Sequence, residues 1–106
     1  MELDMRVYCA DLAGELHDLR PLDPANAPEY HPADYSAGQR LGAQLREAAS
    51  WGVVYHSVRH PGGQCAAVLR PPVLGPCRQS MHLTYIWDGA QISDVYEKRS
   101  FPLKLV

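Results

Sequence analysis

The residue types best suited to chemistry lie together in one run, GVVYHSVRHPGGQCAAVLRP at positions 52–71, where Ser57, Arg59 and His60 interrupt a strand-like composition. A serine hydroxyl can orient a ligand, and an arginine two positions further on can meet a phosphate through its planar fork of donors. A hydrolase nucleophile is disfavoured, because no G-x-S-x-G elbow surrounds Ser57. The bland alternative is a strand-end hydroxyl bonded to backbone. Gly62 and Gly63 do not read as a phosphate loop, since neither a Lys-Ser/Thr pair nor a helix start follows them. Nor do His56, His60 and Cys65 read as a metal site: Pro61 prevents a helix from carrying both histidines on one face, and no second Cys/His pair follows at ligand spacing.

Charge supports an anionic partner for this region. Residues 1–50 carry nine acids and four bases, whereas residues 51–106 carry three acids and six bases. No carboxylate occurs between Glu47 and Asp88, a window that holds Arg59, Arg70, Arg78, His56, His60 and His82. A locally positive surface favours a phosphate, a nucleotide or nucleic acid, and the competing reading is a chance lull in acids on a strand-rich segment. His82, next to a strand start, reads as a surface residue. Trp51, Trp87 and the tyrosines read as core more readily than as ligand platforms.

The elements that must position these side chains follow from periodicity. Leu3, Met5, Val7 and Cys9 alternate along a half-buried strand. Gly14 to Pro21 reads as a turn, and the stretch from Pro21 to Pro32, with four prolines, as a surface loop. A helix is predicted from about Asp34 to Ala49, capped by Asp34 or Ser36, with Leu41, Leu45 and Ala48 on one face. Gly38 and Gly42 each weaken it by about 0.5–1 kcal/mol relative to alanine, which predicts close packing against another element. Val53 to Tyr55 begins a buried strand, and the Gly62-Gly63 turn returns Gln64 to Leu69 antiparallel to it. Asp88-Gly89, between HLTYIW and AQISDVYE, marks a hairpin.

On the alternation along the strand, Tyr55, Ser57 and Arg59 share a face, so Ser57 is expected to open onto a cleft with Arg59 near enough to share an anionic ligand. The expected fold is α+β, a largely antiparallel sheet packed by one main helix. At 106 residues the chain has the length of one domain. No apolar run approaches the ~20 residues of a membrane span, and Met1 to Met5 do not open a signal peptide, so a cytoplasmic protein is expected. Cys9, Cys65 and Cys77, without C-x-x-C spacing, read as ordinary thiols rather than a disulfide framework.

These residues carry a resemblance. The run at 52–71, with HLTYIWDGAQISDVYE after it and ELDMRVYCADL before it, resembles the carboxyl-terminal part of the RES domain family from about Glu2 to Glu97, most specifically in Tyr-x-Ser-x-Arg-x-Pro-Gly-Gly at Tyr55 to Gly63. The resemblance implies a toxin of a bacterial toxin–antitoxin pair, similar in fold to ADP-ribosyltransferases, that consumes NAD and pairs with an Xre-type helix-turn-helix antitoxin. NAD is then substrate rather than cofactor, and direct nucleic-acid binding is not expected. The family is named for an arginine, a glutamate and a serine, and Ser57 matches the serine, with Tyr55 and Arg59 as substrate-binding residues. The arginine and glutamate lie upstream of the ELDMRVY strand in the family, and Arg6 and Glu2 do not stand at their places. The resemblance therefore implies that residues 1–106 form one partial domain, weak or inactive toward NAD by itself. The alternative is a catalytically silent interaction module that binds an antitoxin or a second copy of itself.

Overall fold

The computed structural model describes residues 1–103 and is α+β. In chain order the elements are β1 (Glu2–Cys9), β2 (His17–Asp18), α1 (Ser36–Glu47), β3 (Gly52–His56), β4 (Gln64–Val68), β5 (Arg78–Trp87) and β6 (Ile92–Lys98), with 3-10 turns at Pro28–Tyr30 and Pro71–Val73. They form two three-stranded sheets in two compact units rather than one shared sheet. One unit joins Met1–Asp11 to the chain from Gly75, and the other is Leu12–Leu74.

The first unit is an antiparallel sheet in the order β1-β5-β6. Its turn is built as the Asp-Gly pair predicts. Gly89 adopts a φ of 104°, and the Asp88 carboxylate accepts the N–H groups of Ala90 and Gln91 at 2.8 and 2.9 Å. Those two donors favour the ionised form and hold the Asp88 carboxyl below its ordinary pKa. Register sorts the side chains by face. Leu3, Tyr85 and Val95 stand in one row, as do Asp4, Thr84 and Tyr96 in the next, so one face is mainly apolar and the other mainly polar. The apolar face is open: Leu3, Met5, Trp87, Ile92 and Val95 are all exposed.

The second unit holds the buried residues Tyr30, Leu45, Val53 and Val73. Its antiparallel β3–β4 pair sets Tyr55 opposite Cys65 and His56 opposite Gln64, the return that the Gly-Gly turn predicts. The stretch read as a plain turn contains β2, which pairs parallel with β3 at His17↔Val53 and Asp18↔Val54. Two residues in a run without alternation give no sequence signal for this pairing. A buried hydroxyl fixes its end. Ser50 Oγ bonds to His17 Nδ1 at 2.7 Å, donates to the Gly52 carbonyl at 3.1 Å and accepts the Gly52 N–H at 3.2 Å. Through these three contacts the buried Ser50 hydroxyl clasps His17 of β2 to the start of β3.

Helix α1 starts two residues later than predicted. Asp34 does not cap it; its Oδ1 accepts the Ser36 N–H at 3.0 Å from one residue before the cap, and Tyr35 occupies the capping position without a side-chain bond. The glycines have a different role from close packing. A Cβ on Gly42 would meet nothing within 4 Å, and one on Gly38 would meet only the Glu29 carbonyl at 3.6 Å. They open a cavity of about 280 Å3 between the helix and the sheet, lined also by Leu41, Leu45, Val53, Tyr55 and Ala67. Gly42→Ala is accordingly expected to stabilise the unit by about 0.5–1 kcal/mol, through helix propensity and lower unfolded-state entropy. A urea midpoint below that of the parent would contradict this.

Candidate functional site at the β3–β4 turn

Strand β3 cannot continue past His56, because His60-Pro61-Gly62-Gly63 must reverse the chain, and Gly62 takes a φ of 83° that side chains rarely adopt. Ser57 is the first residue beyond the strand. Its N–H donates to the Gly63 carbonyl at 2.9 Å, and its Oγ accepts the His60 N–H at 3.0 Å. The turn is closed further by Gly63 N–H to the His60 carbonyl at 2.9 Å. Ser57 is half-buried, and as an acceptor from His60 it keeps its own O–H to donate.

Arg59 is exposed, and its Nη2 donates to the Pro32 carbonyl at 3.0 Å. Among the described residues no acid lies within ion-pair distance of it. A guanidinium with one carbonyl contact retains four N–H donors for an anion. Tyr55 sits two residues before Ser57 and lines the apolar cavity beside α1, whereas Ser57 and Arg59 are not among that cavity's lining residues. Burial raises the Tyr55 phenol above its ordinary pKa, with a smaller contribution from Cys65 opposite, so at neutral pH the phenol keeps its proton.

Three features of this turn were not visible in the chain's periodicity. Tyr30, from the proline-rich stretch, is 4% exposed and ties the loop to the site: its O–H donates to the Leu19 carbonyl at 3.0 Å, and its oxygen accepts the His56 N–H at 3.2 Å. The His56 ring in turn reaches the Arg20 carbonyl through Nε2 at 3.1 Å. Arg20 itself is committed to Asp18 through two contacts of 2.8 and 2.9 Å. Only an acid two residues from a base hints at that pairing in the sequence.

The Arg20 side chain and N–H draw the Asp18 carboxyl down to about 2. Its folded pKa is depressed, so its contribution to stability is present above the unfolded carboxylate range near 3.9 and is lost as pH falls toward 2. Asp18→Asn is therefore expected to flatten the stability-against-pH curve between about pH 4 and 2, and high salt to weaken the effect in the parent because both groups are exposed. Urea midpoints across that range measure it. Equal slopes in parent and variant would refute the assignment.

Cys9, Cys65 and Cys77 are free thiols. No group of three His, Cys, Asp or Glu among the described residues is arranged to hold a metal ion, and no helix is long and apolar enough to cross a membrane.

A family model described as the RES domain matches residues 1–88. The uncharacterized protein y4oC of Sinorhizobium fredii is 38% identical over 96 residues, which are 89% of this chain and 37% of that relative. The chain thus spans little more than a third of that relative's length. No solved structure matches.

Proposed function

This chain belongs to the RES domain family, and we propose that its β3–β4 turn is part of an NAD-handling site in the toxin of a bacterial toxin–antitoxin pair. On this reading residues 1–106 are one partial domain similar to an ADP-ribosyltransferase, acting in the cytoplasm and held in check by an Xre-type helix-turn-helix antitoxin. The observation that carries it is the serine whose acceptor side is satisfied by His60 and whose hydrogen, among the described residues, goes to no acceptor, two residues from an arginine that no acid among those residues engages.

Ser57 donates its hydroxyl hydrogen to the ligand, Arg59 meets a phosphate oxygen and Tyr55 contributes the neighbouring apolar wall. In the reaction, the bond from the nicotinamide nitrogen to ribose C1′ breaks and its electron pair leaves with nicotinamide. Water or phosphate then bonds to the oxocarbenium-like carbon and loses a proton. That centre calls for a carboxylate beside it and the pyrophosphate for a cation, roles that the family resemblance gives to residues upstream of β1.

Residues 1–106 by themselves are therefore expected to release little or no nicotinamide from NAD, as read by chromatography. Turnover of ~1 per second or faster would overturn that expectation. In an intact family member with a serine at the place of Ser57, substituting that serine by alanine should lower nicotinamide release about tenfold or more, the usual effect of losing a hydrogen bond to a charged ligand. Unchanged release would leave the serine only its role in closing the turn.

The open apolar face of the first unit favours a second reading, a catalytically silent module that binds an antitoxin or itself. Soluble monomers rarely leave such a face uncovered, and Met5 and Val95 on it are 43% and 54% exposed. If this reading holds, sedimentation should show a concentration-dependent dimer, or a complex with the antitoxin, that Val95→Lys weakens. A monomer at all concentrations that also ignores the antitoxin would remove it.

A further inference from the structure

The polar face of the β1-β5-β6 sheet is graded in charge from one end to the other. Its three cross-strand rows are Glu2, Ile86 and Asp94, then Asp4, Thr84 and Tyr96, then Arg6, His82 and Lys98. Like charges directly opposite one another across a sheet are destabilising. The last row nevertheless sets two permanent cations on either side of a histidine. At the far end Glu2 stands about 13 Å from Arg6 along the strand, beyond the ~8 Å screening length at physiological salt, although its charge still reaches the long Lys98 side chain. Asp4 is the acid within reach, and it is taken by Lys98 at 2.6 Å, an attraction that holds the Asp4 carboxyl below and the Lys98 ammonium above their ordinary pKa values. Arg6 has no acid within ion-pair distance among the described residues.

A bulge makes this end of the sheet more than a charged surface. Between Arg6↔His82 and Tyr8↔Gln79 the register slips by one, so β5 carries an extra residue there. In a regular strand Gln79 and His82, three apart, would point to opposite faces. The extra residue brings them to one face, where the Gln79 amide meets the imidazole Nε2. That contact occupies Nε2 and leaves the other ring nitrogen, Nδ1, for a ligand. Asp4, Arg6, His82 and Lys98 all line a concavity of about 300 Å3.

We propose that this concavity binds a phosphate group, held between Arg6 and Lys98 and above His82. Two strand spacings, about 9.5 Å, separate the outer two backbones. Both long side chains can converge over the central strand at that span, the arginine fork on two phosphate oxygens and the ammonium on a third. Asp4 stays on Lys98 and occupies one of the three ammonium donors, so the anion is chosen by the unpaired Arg6 fork, which matches the oxygens of phosphate and not chloride. The site uses residues of the first unit alone and is independent of the NAD reading at Ser57.

The test is titration of the whole chain with inorganic phosphate at pH 7, followed through the His82 ring resonances and compared with chloride at matched ionic strength. Saturable shifts with phosphate and none with chloride are expected. Arg6→Gln should weaken phosphate binding about tenfold, while Ser57→Ala should leave it unchanged. Arg6 is exposed on an outer strand, and unchanged amide spectra elsewhere in β1 will show that the variant is folded. Methyl phosphate provides a second arm, in which competition assigns the site to phosphate esters and its absence to the free ion. Shifts that grow linearly, that chloride reproduces, or that survive Arg6→Gln would overturn the proposal.

Discussion

Replacing Tyr30 with alanine is expected to destabilise the Leu12–Leu74 unit by about 3–5 kcal/mol, the usual range for emptying a buried aromatic site. Its ring is 4% exposed, and its oxygen bridges the Leu19 carbonyl and the His56 N–H. The alanine variant loses packing and both hydrogen bonds at once. Tyr30→Phe separates the two contributions, because it keeps the ring and orphans only the polar pair, for about 1–3 kcal/mol. Against a whole-domain stability of about 5–15 kcal/mol, the alanine variant should show a large drop in urea midpoint. Since His56 is the last residue of β3 before Ser57, the phenylalanine variant should also speed amide exchange at Ser57 and Gly63, whose bond closes the turn. An alanine midpoint equal to that of the parent would show that the loop does not anchor the site.

Gly52→Ala should also be damaging, at about 1–3 kcal/mol, although it adds one methyl group and no charge. That methyl would lie 2.5 Å from the Ala67 carbonyl oxygen and 3.0 Å from Leu16 Cδ2. A leucine tip can rotate away. The carbonyl belongs to β4, whose register against β3 pairs Val53 with Ala67, and it can move only by distorting the ladder. The contrast with Gly42→Ala, which meets open space and should stabilise, makes the pair informative: equal effects from both would mean that helix and strand propensity dominate over contact geometry. Thermal or urea unfolding of the two variants measured side by side decides it.

The features legible in the sequence are those whose cause lies within a few residues. Asp88-Gly89 supplies both the acceptor and the positive φ that its hairpin needs, and His60 to Gly63 does the same for the return into β4. Helix α1 was readable from Leu41 and Leu45, with an error of two residues at each end. Long-range choices left no local trace. Nothing in ELDMRVYC says that it pairs with residues 78–87 rather than with Val53 to Tyr55, which is why one sheet was expected where two exist. His17 and Asp18 join β3 through backbone bonds available to any residue. Gly42 was read through its energetic cost, and cost alone cannot distinguish a close neighbour from a cavity. At the site, Ser57 and Arg59 were visible as residue types out of place in a strand. Their partners, the His60 N–H and the Pro32 carbonyl, are backbone groups that no side-chain pattern reports.

The pairing of β1 with β5 also sets a timetable for synthesis. Glu2 faces Ile86 in the sheet, so a ribosome working at about 5–20 residues per second delivers the partner roughly 4–17 s after β1 has been made. The contiguous Leu12–Leu74 unit can close during that interval. Until then the edge of β1 that takes β5 is unpaired, with Leu3, Met5 and Val7 available to any passing chain. Glu2, Asp4 and Arg6 alternate with those apolar residues, and charges at that spacing act as gatekeepers against cross-chain β-pairing. Neutralising them together should therefore lower the soluble yield from a cell more than it lowers the stability of the protein once folded.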